Sequence, residues 1–202
     1  MKILGLTGPS GAGKGAVCDI FKTFGIPSID TDAVYHQLLE EGGIIKDELC
    51  AAFGQSILDE NGKIDRKKLG AAVFGKENTP SLLHTLNAIT HKYVMARTHG
   101  MMQTIKQSGA LAVLIDAPLL FEAGIDKECD AVIGVLADRE TRLSRITQRD
   151  HITANAAQMR MDAQKSDDFY RKACKYILEN NNDYTALEAQ IRRLLKELGL
   201  EV

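Results

Sequence analysis

The stretch "GLTGPSGAGKGAV", Gly5–Val17, lies between a short apolar run and a segment of helical periodicity. Gly8 through Lys14 have the spacing of a phosphate-binding loop: glycine, four residues, glycine, lysine. Such a loop turns its backbone N–H groups inward around an anion, and the helix that follows adds the positive end of its dipole. On this reading Gly8, Gly11, Ala12, Gly13, Lys14, Gly15 and Ala16 form a nucleotide cradle, and Lys14 reaches the β- and γ-phosphates. The position after the lysine usually carries Ser or Thr, whose hydroxyl sits on magnesium; here it is Gly15, followed by Ala16. Magnesium readily keeps several waters, so phosphate oxygens, water and a carboxylate elsewhere are expected to hold it. The competing reading is an ordinary Gly-rich turn with Lys14 in solvent.

Working outward, "KILGL" reads as a buried strand, and Val17, Ile20, Phe21 and Phe24 recur at helical spacing until Gly25. "IPSID" is a second strand and "DAVYHQLLEEGG" a second helix, closed by Gly42. Strand, helix, strand, helix predicts an α/β fold with a parallel sheet covered by helices. From 44 to 109 the pattern changes to helical segments and polar turns ("DENGK", "GKENTP") without a core strand, which predicts a helical, substrate-facing insertion. "ALAVLIDAP", "DAVIGVLA" and "KYILEN" restore the sheet to five strands, with "DRETRLSRITQRD" and "TANAAQMRMDAQ" as helices. Tyr184, Leu187, Ile191, Leu194, Leu195 and Leu198 give an amphipathic closing helix. The chain is therefore expected to be one domain, with a core of 1–43 and 110–202.

Composition narrows the function classes. A net charge of −2 over 202 residues argues against a general nucleic-acid or membrane-surface binder. Cys18, Cys50, Cys129 and Cys174 are scattered without a C-x-x-C pair, so reduced thiols are expected. "MKILGLTG" is broken by glycine before it makes a signal peptide, and no apolar run is long enough for a membrane span. A cytoplasmic location follows as an expectation. The five histidines have no metal-ligand spacing.

The chemistry falls on carboxylates and arginines. Asp30 and Asp32 lie at the carboxyl end of the second strand, where ligands of open parallel sheets gather. A hydroxyl that attacks a γ-phosphate needs a carboxylate to take or orient its proton. Asp32 is the candidate base with Asp30 in support; capping the next helix is the alternative role for Asp32. Asp116 ends the third strand and is a candidate for magnesium, through water, or else a turn residue before Pro118. Arg139, Arg142, Arg145 and Arg149 share one helix face, which is either solvated or a lid over the triphosphate. The lid role is assigned to Arg145 and Arg149, and the pattern does not decide for the other two.

Taken together these segments resemble the dephospho-CoA kinase family. "IDTDAVYHQLLEEG" is similar to that family's Asp-x-Asp segment, and "FGQSILDENGKIDRKKLGAAVFG" to its next stretch. "LNAITH", "DAPLLFEAG", "RLSRITQRD" and "ILENN" follow in the family's order, so that nearly the whole chain is covered. The resemblance implies a P-loop kinase fold with a helical lid at 138–165. It also implies transfer of phosphate from ATP, with Mg2+, to the ribose 3′-hydroxyl of dephospho-CoA. Asp32 then matches the base, Lys14 the phosphate-binding lysine, Arg145 and Arg149 the lid arginines, and Asn180 a position near adenine. The insertion corresponds to a CoA-binding part, with Arg66 and His91 at matching positions beside Asp30 and Asp32. The departures are Gly15-Ala16 for Ser-Thr, His36 for Arg, Lys92 for Pro and Lys175 for Asp. Kinases of another small acceptor, such as a nucleoside monophosphate, and a nucleotide-binding module without transfer are the alternatives that the loop alone leaves open.

Overall fold

Five strands form one parallel sheet in the order β2-β3-β1-β4-β5. The computed structural model describes residues 1–75 and 80–200. The strands are β1 (Lys2–Thr7), β2 (Ser28–Asp30), β3 (Ala112–Asp116), β4 (Ala131–Leu136) and β5 (Tyr176–Glu179). β4 is buried along its whole length and β3 over Ala112–Ile115, the continuous apolar pattern of a sheet covered on both faces. The helix α1 (Lys14–Thr23) leads from β1 to β2, on one side of β1, while the chain leaves β4 toward β5 on the other. The topological switch therefore lies between β1 and β4, and the loop Gly8–Gly13 opens at its carboxyl edge.

Further helices are α2 (Thr31–Glu41), α3 (Ile44–Phe53), α4 (Arg66–Phe74), α5 (Pro80–Gln107), α6 (Arg139–Asp150), α7 (Ala154–Asp162), α8 (Asp167–Ala173) and α9 (Tyr184–Glu197). The chain divides into two units: Met1–Asp30 with Thr104–Val202, and Thr31–Gln103. These boundaries differ from 43/44 and 109/110, because α2 packs on α3 and groups with the helical segment.

In the sheet unit, α1 buries Val17, Ile20 and Phe21 in the same core as Leu187, Ile191, Leu194 and Leu195 of α9. Burying a side chain of this size stabilises the fold by about 1.5–3 kcal/mol, so the α1–α9 layer is a principal anchor of the helix that follows the loop. Asp183 caps α9 by accepting from Ala186 N at 2.8 Å. A smaller separate cluster, Ile146, Ala157 and Met161 with Leu143 and Ile152, holds α6 against α7. Helix α8 has no counterpart in the sequence reading; Ser166 starts it by accepting from Phe169 N.

The second unit is helical, with one isolated bridge, Leu58↔Ile64, among the described residues. In the "DENGK" turn Asp59 Oδ1 accepts from Asn61 N at 2.9 Å and Lys63 N at 2.8 Å. Residues 76–79 of "GKENTP" lie outside the described residues. Arg97 on α5 donates both terminal nitrogens to Glu41 of α2, and Lys92 and Tyr93 converge on Glu48 of α3. Lys92, one of the departures noted above, thus pins α5 to α3. Among the described residues no helix is long and apolar enough to cross a membrane.

All four cysteines are free. Burial, with Asp126, Glu128 and Asp130 nearby, pushes Cys129 up to about 12, and burial pushes Cys174 up to about 11. Between the ordinary thiol value and these values the folded chain binds more protons than the unfolded one. Stability is therefore expected to be indifferent to these thiols below about pH 8.5 and to fall as pH rises above it. At pH 8 the Cys129 thiolate is on the order of a thousandfold scarcer than that of free cysteine. Mass-spectrometric iodoacetamide labelling at pH 8 should leave Cys129 and Cys174 unmodified until urea is added. Rapid labelling in the folded protein would refute their standing as neutral thiols, Cys174 buried and Cys129 half-buried.

Candidate active site

The loop is shaped by close approaches as well as by its dihedral angles. Gly8 has φ +148°, and a Cβ there would run into the carbonyl oxygen of Val135 in β4. Gly13 has φ +93°, and a Cβ there would strike the side-chain amide of Asn180, just past β5. A side chain at either position is excluded twice, by backbone strain and by a neighbour.

The loop's carbonyls are met by donors from distant parts of the sheet unit. Arg142 Nε donates to Ser10 O at 3.1 Å. Arg145 Nη1 lies 3.3 Å from both Gly11 O and Ala12 O, and its Nη2 donates to Asn180 O at 3.1 Å. Asn180 Nδ2, buried, donates to Ala12 O at 2.8 Å. α1 begins at Lys14, so the positive end of its dipole lies at the loop.

At the sheet's carboxyl edge Lys14 Nζ lies 3.8 Å from Asp116 Oδ1. Asp116 pairs in register with Asp30, which sets two carboxylates side by side at the ends of β3 and β2. The Cys18 thiol, one helical turn beyond Lys14, donates to Asp116 Oδ2 at 3.8 Å. Burial first, then the negative charge of Asp116, pushes Cys18 up to about 12, so it stands as a neutral donor. The sequence reading missed this residue, whose only local signal is its place on the inner face of α1.

The four α6 arginines separate in space. Arg142 is buried, with Nη1 3.2 Å from Asp167 Oδ1 and Nη2 3.4 Å from Gln164 Oε1. Arg149 is held by Asp150 through two bonds of 2.7 and 2.9 Å, and its Nη2 reaches Ser10 Oγ at 3.4 Å. Asp150 also pairs with Arg160 of α7, and the two guanidiniums hold its carboxyl down at about 2. Arg139 pairs with Asp162 at 2.6 Å, closing the α6–α7 hairpin on its outer side. A shared helix face therefore splits into two arginines on the loop carbonyls, one at its edge and one facing away.

In the helical unit Asp32 lies within the first turn of α2, because the helix begins at Thr31; it favours the helix dipole without being the cap. Arg66 opens α4 after the Asp65 cap, and its charge draws down the Tyr35 phenol, which burial raises above its usual value. His91 is half-buried on α5, and burial holds its imidazole below the ordinary value.

Residues 2–186 match the family model described as dephospho-CoA kinase. A dephospho-CoA kinase of Arabidopsis thaliana is 35% identical over 200 residues, covering 98% of this chain and 84% of that one. One from Corynebacterium glutamicum is 34% identical over 195 residues, covering 96% of each. The solved structure of dephospho-CoA kinase from Campylobacter jejuni superposes with a TM-score of 0.70 at 27% identity, covering 97% of this chain and 96% of that one.

Proposed function

The chain belongs to the dephospho-CoA kinase family, and we propose that it transfers the γ-phosphoryl group of ATP to the ribose 3′-hydroxyl of dephospho-CoA, giving coenzyme A and ADP. It is a phosphotransferase of the P-loop kinase fold with a nucleotide substrate. The observation that carries the reading to this chain's own residues is the cradle Gly8–Lys14, with its carbonyls bound from outside and Lys14 beside Asp116.

In this reading the N–H groups of the loop through Ala16 hold the triphosphate, and Asn180 lies near the adenine. Lys14 neutralises charge that develops on the γ-phosphate. Asp32 accepts the proton of the attacking hydroxyl as its oxygen bonds to phosphorus and the bond to the ADP oxygen breaks. Asp30, at the end of β2, serves the acceptor, as do Arg66 and His91 of the helical unit, which binds dephospho-CoA. Arg145 and Arg149, on the lid at 138–165, add positive charge and exclude water.

The donor set suits magnesium. Asp116 offers hard oxygens with the Asp30 carboxylate in register beside it, and among the described residues no group of three or more His, Cys, Asp or Glu makes a closed metal cage. An ion that keeps its waters and takes phosphate oxygens fits such an open pair; Asp116 would hold it through water. When bound, it would offset charge on the phosphates. A Cβ on Gly15 meets nothing within 4 Å, so this position has room for a side chain.

Two outcomes test the reading. Purified protein with Mg-ATP should release ADP in proportion to dephospho-CoA, and Asp32→Asn should lower kcat about 10²–10⁴-fold while calorimetric ATP binding is kept. Faster turnover with AMP or CMP in the same acceptor panel would overturn the substrate, and near-normal turnover of Asp32→Asn would overturn the base. Gly15→Ser should lower the magnesium concentration for half-maximal rate by restoring a hydroxyl ligand. An unchanged magnesium titration would place position 15 away from the metal.

A further inference from the structure

Ser10 is held at both faces of its backbone. Its carbonyl accepts from Arg142 Nε at 3.1 Å, and its N–H donates to Gln164 Oε1 at 3.0 Å. Gln164 Oε1 also accepts from Arg142 Nη2 at 3.4 Å, and Arg142 Nη1 reaches Asp167 at the start of α8. Arg142, 6% exposed, thus meets the phosphate loop, the residues beyond α7 and α8 through one guanidinium. A buried cation is costly unless acceptors are placed for it, and here three are. The hairpin of α6 and α7 has its own small core, so it is internally braced independently of the sheet. Arg142 and Gln164, at its two ends, both bind Ser10.

We propose that Arg142 and Gln164 are positioning residues that latch the α6–α7 hairpin to the backbone of Ser10, fixing the loop in the shape that receives the triphosphate. Neither residue needs to touch the nucleotide. The latch acts on ATP, because Ser10 lies inside the cradle, and not on the acceptor. It rests on the kinase reading above, although its effect on ATP binding is measurable without any transfer.

Gln164 is exposed, so its substitutions leave the core intact. Gln164→Met keeps its length but removes the acceptor oxygen; Gln164→Glu keeps that oxygen. Gln164→Met should raise the KM for ATP, and the calorimetric Kd for ATP, about threefold to tenfold, the usual scale of one hydrogen bond. Gln164→Glu should stay within twofold of the unchanged protein, and neither variant should move the KM for dephospho-CoA. A role in packing alone would not separate Met from Glu. Arg142→Lys should weaken ATP similarly, and combining it with Gln164→Met should cost less than the product of the two, because both hold the backbone of one residue, Ser10, and Arg142 Nη2 also bonds Gln164. ATP affinity unchanged in Gln164→Met, or effects that multiply in the double variant, would overturn the latch. If the unchanged protein does not phosphorylate dephospho-CoA, the kinase reading fails separately, and the ATP titrations still decide the latch.

Discussion

A loop that turns its N–H groups toward an anion must turn carbonyls the other way, and those carbonyls need donors where water is excluded. In this chain Ser10 O, Gly11 O and Ala12 O find them in Arg142, Arg145 and Asn180. The rest of the sheet unit serves that requirement. Strand order places β4 beside β1 and β5 beside β4, so α6, which follows β4, and Asn180, which follows β5, arrive at the loop. The same closeness excludes side chains at Gly8 and Gly13. Loop conformation, sheet topology and arginine placement are thus parts of one constraint.

The acidic side of the site follows from register. Because β2 and β3 pair Asp30 with Asp116, two carboxylates stand at the edge that Lys14 faces, and a neutral thiol from α1 donates to Asp116. Such an arrangement suits a metal that brings its own waters. In the proposed reading, such an ion would make up for the hydroxyl that is missing after Lys14.

Much of this was legible because it is local. The glycine loop between strand and helix at Gly8–Lys14, the apolar runs of β1, β3 and β4, and the periodicity of α1 and α9 each fit within about a dozen residues and recur as elements of the fold, although Tyr184 is exposed and Leu198 lies past the end of α9. Asp116 and Asp30 were legible as strand-end residues, though their pairing was not, since register is set by the fold. Arg142 was left undecided because a 3, 3, 4 spacing defines a face and not what lies against it; its partners include Ser10, 132 positions away in sequence. Gln164 and Cys18 carry no motif and gain meaning only from Ser10 and Asp116. Helix α8 has seven residues, four of them charged, too short and too polar for periodicity to speak. The start of α2 at Thr31, which moves Asp32 from cap to first turn, is a boundary that propensity does not resolve.

The central claim is that the phosphate cradle depends on the close approach of the β4 backbone and of Asn180, which follows β5, to the loop after β1. Adding one carbon atom tests it most directly. Calorimetric titration of Gly13→Ala with ATP is expected to show binding weakened by more than about a hundredfold, since the methyl group displaces the Asn180 amide from Ala12 O and strains a φ of +93°. An ATP affinity within a few-fold of the unchanged protein would contradict the account.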